Sequence, residues 1–272
     1  MRLTYLGTPA IAVPPLDAMV AVGHDIALVV TGEDKRRGRG RERSPSPVKA
    51  AALGHGLAVT HSIDDLLTLD DVELGVVVAF GHIIKPHVLA ALPFVNMHFS
   101  LLPRWRGAAP VERALLAGDS RTGVCIMAVE EGLDTGGVYA RIEVPIGART
   151  TADELRAELV GAGSTLLVEM LSDPAAGWVD RPSPQIGEST YAAKLTAADR
   201  EIDWNGSPDT IDRQIRVGGA WTTFRGNRMK VVAADIADGV VVPTVVQPEG
   251  KARMAFDAWR NGARPSRDEL FG

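Results

Sequence analysis

The stretch that decides the fold runs from residue 96 to residue 110 and reads Asn-Met-His-Phe-Ser-Leu-Leu-Pro-Arg-Trp-Arg-Gly-Ala-Ala-Pro. Its first residues close an apolar run that begins at Phe94, and this composition predicts a buried strand. Asn96 and His98 are two residues apart, so a strand would point both side chains to the same face. The Pro and Gly residues that follow end the strand and send a loop across its carboxyl end. Ligands bind at that edge of an open α/β sheet.

The sequence on either side of this stretch alternates between strand-like and helix-like segments up to about residue 170. Apolar runs rich in Val, Ile and Ala predict strands at 3–6, 25–31, 75–80, 94–99, 124–129 and 138–145. Helical periodicity appears at 13–22, 47–55, 86–91, 110–117 and 152–171, where Thr151 and Glu154 form a capping box for the last segment. This alternation predicts an α/β protein with a Rossmann-like, doubly wound, mostly parallel sheet.

The pattern changes after Trp204, where short β-like runs replace the alternation. They cover 222–224, 229–234 and 240–246, and the sequence Arg-Gly-Asn-Arg at 225–228 predicts a hairpin turn between the first two. Pro182 to Gly187 has the composition of a linker. We therefore predict a catalytic domain over 1–180, a linker over 181–203 and a small β-rich domain over 204–272.

Composition gives no indication of a strongly basic nucleic-acid-binding protein. The chain has 272 residues, a net charge of −5 and 46% hydrophobic residues, an ordinary globular profile without a global basic excess. The first residues lack the long apolar segment and small-residue cleavage site typical of a signal peptide, and no apolar run reaches membrane-spanning length. The single cysteine cannot form an intrachain disulfide. We expect a cytoplasmic protein without membrane association, a monomer, with Cys125 as a core residue.

Known cofactor motifs are also missing from the sequence. The first turn, Gly7-Thr8-Pro9-Ala10, lacks the glycine pattern that holds a dinucleotide pyrophosphate, and there is no Walker loop. The histidines and carboxylates lack metal-ligand spacing, so we expect no metal. The fold is therefore predicted to be of the dinucleotide-binding type without its dinucleotide.

Three residue types in the chain can form one proton-handling site. They are the amide of Asn96, the imidazole of His98 and the carboxylate of Asp134, which lies in the sequence Gly-Leu-Asp-Thr-Gly-Gly at 132–137. An amide and an imidazolium can stabilise an oxyanion, and a histidine beside a carboxylate can move protons. Each residue alone is also compatible with a structural role in a strand end or turn.

These motifs together resemble the folate-dependent formyltransferases, and among them the methionyl-tRNA formyltransferases. The resemblance rests on Ser-Leu-Leu-Pro at 100–103, Arg-Gly-Ala-Ala-Pro at 106–110, the Asn-x-His pair and Gly-Leu-Asp-Thr-Gly at 132–136, and it extends to about Asp235. It implies formyl transfer from 10-formyltetrahydrofolate to the α-amino group of initiator methionyl-tRNA, with Asn96, His98 and Asp134 catalytic. It also implies folate contacts from the residues Ser100, Leu101, Leu102, Pro103, Phe80, Gly81, Ile83 and Ile84.

A basic segment supplies the second part of the resemblance. Six of the nine residues from Lys35 to Arg43 are basic, with interleaved glycines, in an otherwise acidic protein. A charge run is commonly a solvated loop, but this one leaves a strand near the predicted site and can reach phosphates. The resemblance implies that it contacts the acceptor end of tRNA through Arg36, Arg37, Arg39, Arg41 and Arg43.

The end of the chain departs from the family pattern. Family members carry a fuller C-terminal barrel of the oligonucleotide-binding (OB) type, so we expect the domain at 204–272 to be a shortened, OB-like version. Gly-Glu-Asp at 32–34 also replaces a Pro-containing stretch before the basic loop. Both departures affect the tRNA contacts rather than formyl transfer.

Two alternatives remain open at the level of sequence. A folate-dependent N-formyltransferase acting on a nucleotide-linked amino sugar would share the catalytic trio, and only the basic loop favours tRNA. A non-catalytic RNA- or folate-binding protein would not need the acid–base set of Asn96, His98 and Asp134.

Overall fold

The computed structural model describes residues 1–36, 43–172, 181–266, 269 and 271. The chain divides into two compact units. The first contains Met1–Pro110, Arg121–Pro145 and Arg156–Ala192, and the second contains Val111–Ser120, Ile146–Leu155 and Ala193–Gly272.

The strands of both units are numbered in chain order. They are β1 (Arg2–Gly7), β2 (Asp25–Val30), β3 (Lys35–Arg36), β4 (Arg43–Ser44), β5 (Val59–Thr60), β6 (Leu74–Val78), β7 (Phe94–His98), β8 (Arg106–Gly107), β9 (Arg121–Ala128), β10 (Val138–Pro145), β11 (Tyr191–Ala192), β12 (Trp221–Phe224), β13 (Asn227–Ala237), β14 (Val240–Pro248) and β15 (Met254–Ala255).

The helices are numbered in the same way. They are α1 (Val13–Ala21), α2 (Pro47–Gly54), α3 (Pro86–Ala91), α4 (Pro110–Ala117), α5 (Ala152–Leu171), α6 (Pro208–Val217) and α7 (Phe256–Ala263).

The first unit is built on a sheet with the strand order β10-β9-β7-β6-β1-β2-β5. The pairs from β7 through β6, β1 and β2 to β5 are parallel, whereas β9 pairs antiparallel with both β7 and β10. The prediction of a mostly parallel α/β sheet is therefore confirmed. The run at 124–129, which forms most of the reversed strand β9, gives no sign of its direction in the sequence, because the alternation of strands and helices does not record direction.

Close packing around the sheet explains two glycines. A Cβ on Gly75 would lie 2.2 Å from the ring of Phe94 on the neighbouring strand, so the ring covers the glycine. A Cβ on Gly163 of α5 would lie 2.8 Å from Met97 Sδ and 3.0 Å from Val124. Helix α5 therefore packs closely on the face of β7 and β9 that carries Met97, and it leaves the other face to the residues on either side of Met97.

The second unit contains an antiparallel sheet with the order β12-β13-β14-β15. Arg225 and Gly226 join β12 to β13 with φ values of 49° and 73°, which are the two left-handed residues of a type I′ turn. Ile211 and Ile215 of α6 are buried in its core with Val231 and Val241. The predicted small β-rich domain and its hairpin are confirmed.

Helices α6 and α7 do not appear among the sequence predictions. The start of α6 has a readable signal, because Ser207 caps it by accepting the Thr210 N–H at 3.2 Å and Pro208 follows as its first residue. Within the described part of the chain, no helix combines the length and apolarity needed to cross a bilayer.

Candidate functional site

Strand β7 places Asn96 and His98 on one face at the end of the strand. Asn96 lies opposite Met127, and His98 lies opposite Cys125, both on β9. These cross-strand neighbours share a face, and Leu102 packs on Cys125 and Met127 in one buried cluster. His98 is therefore buried, whereas Asn96 remains half-exposed.

Asp134 is the carboxylate that faces His98. His98 Nδ1 lies 3.6 Å from Asp134 Oδ2, and the two side chains are only 6% and 11% exposed. This separation suits an ion pair but exceeds a direct hydrogen bond. The structure thus brings together two of the three predicted catalytic residues in a largely dry environment, where their electrostatic interaction is stronger than in water.

The second ring nitrogen of His98 has a different partner. Nε2 lies 2.9 Å from the carbonyl oxygen of Trp105, and a carbonyl can only accept, so Nε2 carries a hydrogen. Nδ1 is then the nitrogen that takes up or releases a proton, and it is the one beside Asp134. The ring is oriented for proton transfer at a defined atom.

The loop that carries Asp134 is fixed by backbone contacts. Asp134 has a φ of 52°, and its Oδ2 accepts the Gly107 N–H at 2.7 Å. A Cβ on Gly136 would lie 2.0 Å from the carbonyl oxygen of Ala128, so only glycine allows the loop to approach β9 this closely. The carboxylate is consequently held by its own loop and by the loop after β7.

The predicted folate segment after β7 has mostly inward-facing residues. Ser100 is buried, and its Oγ donates to the carbonyl oxygen of Arg104 at 2.6 Å. Leu102 and Pro103 are buried, whereas Leu101 is half-buried. Ser100 therefore braces the loop, and Leu101 is the side chain of the four with the most access to a ligand.

The predicted folate contacts in the loop after β6 are likewise divided between buried and exposed residues. Phe80 and Ile84 belong to the buried core, while Gly81 is exposed with a φ of 77°. Ile83 is 87% exposed, which is unusual for a large apolar side chain. Leu133, next to Asp134, is 58% exposed and was not identified from the sequence.

The basic segment is described only at its two ends. Arg36 and Arg43 face each other in the short β3–β4 ladder, whereas Arg37, Arg39 and Arg41 lie outside the described residues. Lys49 Nζ, after the ladder in sequence, donates to both oxygens of Asp34, which precedes it, at 2.8 and 2.9 Å. This hydrogen bond lowers the pKa of Asp34, so the ion pair that ties the two ends of the segment persists at neutral pH.

Sequence reasoning missed four residues that hold the site together. The carbonyl of Trp105 and the N–H of Gly107 are backbone groups, which have no signature in residue type. Gln185 and Thr190 contact these loops from a stretch with the composition of a linker. Within the described part of the chain, no cluster of three or more His, Cys, Asp or Glu residues has the arrangement of a metal site.

Comparison with known proteins agrees with this geometry. Residues 1–171 match the formyl transferase family, and residues 194–239 match the formyl transferase C-terminal domain. The fold of an N-formyltransferase from Helicobacter canadensis, solved with folinic acid and dTDP-3-aminofucose, is similar, with a TM-score of 0.69 at 19% identity over 87% of this chain and 88% of that one. The fold and the matches define a formyl transferase.

Relatives with similar sequences show which kind of formyl transferase this chain resembles. The methionyl-tRNA formyltransferase of Dinoroseobacter shibae is 46% identical over 88% of this chain and 84% of that protein. The solved methionyl-tRNA formyltransferase of Clostridium thermocellum has a TM-score of 0.63 at 15% identity, covering 91% of this chain and 98% of that one. This chain belongs to the methionyl-tRNA formyltransferase family.

Proposed function

We propose that the protein transfers the formyl group of 10-formyltetrahydrofolate to the α-amino group of initiator methionyl-tRNA, a step of translation initiation in the cytoplasm. The observation that carries the proposal is the buried His98–Asp134 pair, 3.6 Å apart at the end of β7. Curated relatives with the name methionyl-tRNA formyltransferase support the choice of acceptor.

The acid–base groups suit attack by an amine on a formyl carbon. The folate supplies that carbon on a nitrogen that leaves as an amine. The oxyanion that develops needs preorganised donors, and the Asn96 amide and His98 Nδ1–H provide them. Asp134 stabilises the imidazolium and accepts the proton that the attacking amine loses, directly or through a water. His98 gives its Nδ1 proton to the folate nitrogen as the bond from that nitrogen to the formyl carbon breaks, and Asp134 returns a proton to His98.

The apolar side chains beside the site suit the flat ring of a folate. Exposed Ile83 offers a face for the ring, and the backbone of Gly81 approaches closely because it has no side chain. Leu101 contributes a further apolar contact. The roles of Phe80, Ile84, Ser100, Leu102 and Pro103 are then to shape these two loops from within.

The basic segment suits the phosphates of a tRNA acceptor end. Arg36 and Arg43 stand together at its base, and the remaining arginines, Arg37, Arg39 and Arg41, add three charges between them. Phosphate neutralisation provides sequence-independent affinity that weakens with salt. A small free amine would not need this segment, so it favours a tRNA over other acceptors.

A comparison of two acceptors, offered separately, tests the proposal. The protein is incubated with 10-formyltetrahydrofolate and either methionyl-tRNA or a nucleotide-linked amino sugar, and the formylated product is identified by mass spectrometry. We expect formyl-methionyl-tRNA, with the rate unchanged in EDTA because the proposed charges come from side chains. Formylation of the amino sugar alone would establish the other acceptor class, and product from neither would refute formyl transfer.

The location of the proposed site bears on the oligomeric state of the active protein. Asn96, His98 and Asp134 all belong to the first unit of a single chain. We therefore expect the active species to be a monomer, which sedimentation of the active fraction tests.

A further inference from the structure

The residues 183–192, here called the strap, form hydrogen bonds with both loops that carry the candidate site. Ser183 pairs with Val138 through two backbone bonds of 2.8 and 2.9 Å, beyond the Asp134 loop. At the other end, Tyr191 and Ala192 form a short parallel ladder with Arg106 and Gly107. The strap therefore spans from one site loop to the other within the first unit.

Gln185 is the strap residue that holds the Asp134 loop. Its Nε2 donates to the carbonyl oxygens of Asp134 at 2.9 Å and Gly136 at 2.7 Å. Its Oε1 accepts from Arg106 Nε at 3.0 Å and from the terminal guanidinium nitrogen at 2.7 Å. All donors and acceptors of the amide are thus used, and no other side chain of similar size offers this set.

Thr190 is the strap residue that holds the Trp105 loop. Its Oγ1 accepts the Trp105 N–H at 2.9 Å. Trp105 has a φ of 63°, a conformation that is costly for a bulky residue and that needs external support. The carbonyl of the same Trp105 accepts the hydrogen of His98 Nε2. Thr190 consequently controls the orientation of the imidazole through one intervening residue.

We propose that Gln185 and Thr190 are positioning residues for formyl transfer, which set the distance and orientation of the His98–Asp134 pair without touching the substrates. Gln185 positions the carboxylate, and Thr190 positions the ring. The inference depends on the proposed function for its catalytic meaning. Misplacement of a catalytic group by about 1 Å can lower a rate by about 100-fold.

Isosteric variants separate positioning from general stability. Thr190→Val replaces the hydroxyl by a methyl group, while Thr190→Ser keeps the hydroxyl. Gln185→Met removes both ends of the amide at nearly constant length. Glu188→Gln is the matched control, because Glu188 is an exposed side chain of the same strap.

We expect Gln185→Met and Thr190→Val to lower kcat by about 10- to 100-fold with KM for both substrates within about threefold, as lost orientation predicts. Thr190→Ser and Glu188→Gln should keep kcat within about threefold of the parent on the same reasoning. If Gln185→Met does not fold, the comparison of Thr190→Val with Thr190→Ser alone tests the proposal. Unchanged kcat in folded Thr190→Val, or equal losses in Val and Ser variants, overturns the proposal.

A second measurement is independent of the reaction. The imidazole signals of His98, assigned with a His98→Gln variant and labelled histidine, report ring environment and titration by NMR. We expect both to change in Gln185→Met and Thr190→Val and to be retained in Glu188→Gln. This result supports positioning even if no acceptor is formylated, and an unchanged His98 titration in both variants contradicts it.

Discussion

At the scale of the residue, what distinguishes His98 is its burial rather than its distance to a carboxylate. His55 lies 2.6 Å from Asp17 and His87 lies 2.8 Å from Asp64, both closer than the His98 pair. Those two pairs are well exposed, and ion pairs in high dielectric contribute little. His98 alone of the three combines a dry environment with a backbone carbonyl that determines its tautomer.

We expect His98→Ala and Asn96→Ala each to lower kcat by about 10²- to 10³-fold, the usual cost of removing one preorganised donor. Steady-state formylation of methionyl-tRNA measures the loss, and circular dichroism confirms that the fold is intact. His87→Ala is the matched control, because His87 lies on α3 of the same unit and its ion pair with Asp64 is exposed. Normal turnover in either site variant would remove that residue from the mechanism.

The candidate catalytic residues can be proposed from the sequence, but the groups that position them cannot. The spacing of Asn96 and His98 follows from the two-residue period of a strand. In contrast, Gln185 is 51 residues from Asp134 along the chain and approaches it only when the strap folds. The Trp105 carbonyl depends on a left-handed backbone at a tryptophan, a conformation that residue type argues against.

At the scale of the element, sequence periodicity predicts the extent of helices better than the direction of strands. The predicted helices at 86–91, 110–117 and 152–171 match α3, α4 and α5 to the residue. Strand β9 reads as a continuous apolar run, like the parallel strands, although it is antiparallel to its neighbours. Its burial on both faces explains the run, because the pattern reports burial and not direction.

Two glycine substitutions test whether the position of Asp134 depends on the close approach of its loop to β9. Gly136→Ala should lower kcat by at least about 10-fold, because a displaced loop carries Asp134 away from His98. Gly161→Ala, within α5, meets open space and should stabilise the protein by about 1 kcal/mol through helix propensity. Kinetics and thermal unfolding measure the two effects. Equal activity of both variants would show that the loop tolerates a side chain and that its approach is not critical.

At the scale of the whole molecule, charge distribution matters more than net charge. The protein carries a net charge of −5, so its average field repels a tRNA. Binding must therefore use local concentrations of cations, and the segment between Lys35 and Arg43 is the densest one in the sequence. The Asp34–Lys49 ion pair joins a residue just before this segment to one that follows it.

Neutralising the base of the segment should weaken tRNA binding in a salt-dependent way. We expect the double variant Arg36→Gln/Arg43→Gln to reduce the magnitude of the slope of log affinity against log salt by about 1.4. Each lost contact with a phosphate of single-stranded nucleic acid accounts for about 0.7 of that change. Arg121→Gln/Arg141→Gln removes the same charge from exposed positions on β9 and β10. Filter binding at several salt concentrations compares them, and identical slopes for the two variants would exclude the segment from the interface.

The stability of the second unit should depend on pH through Asp199. Hydrogen bonds from the Thr196 N–H and from Arg113 lower the pKa of this carboxyl to about 2, from 3.8. Because the folded pKa is the lower one, the stabilisation is complete above about pH 5 and is lost as pH falls from 3.8 through 2.

We therefore expect Asp199→Asn to lower the free energy of unfolding at pH 7 by about 1–2 kcal/mol, allowing for solvent screening. The difference from the parent should fall by about half at pH 3, since proton linkage removes the advantage of the carboxylate there. Urea unfolding followed by tryptophan fluorescence measures it, because Trp204, Trp221 and Trp259 lie in the second unit. Asp238→Asn, at an exposed turn of the same unit, is the control and should give a small difference at pH 7. A pH-independent difference for Asp199→Asn would mean that packing, rather than the charge of the carboxylate, accounts for the loss.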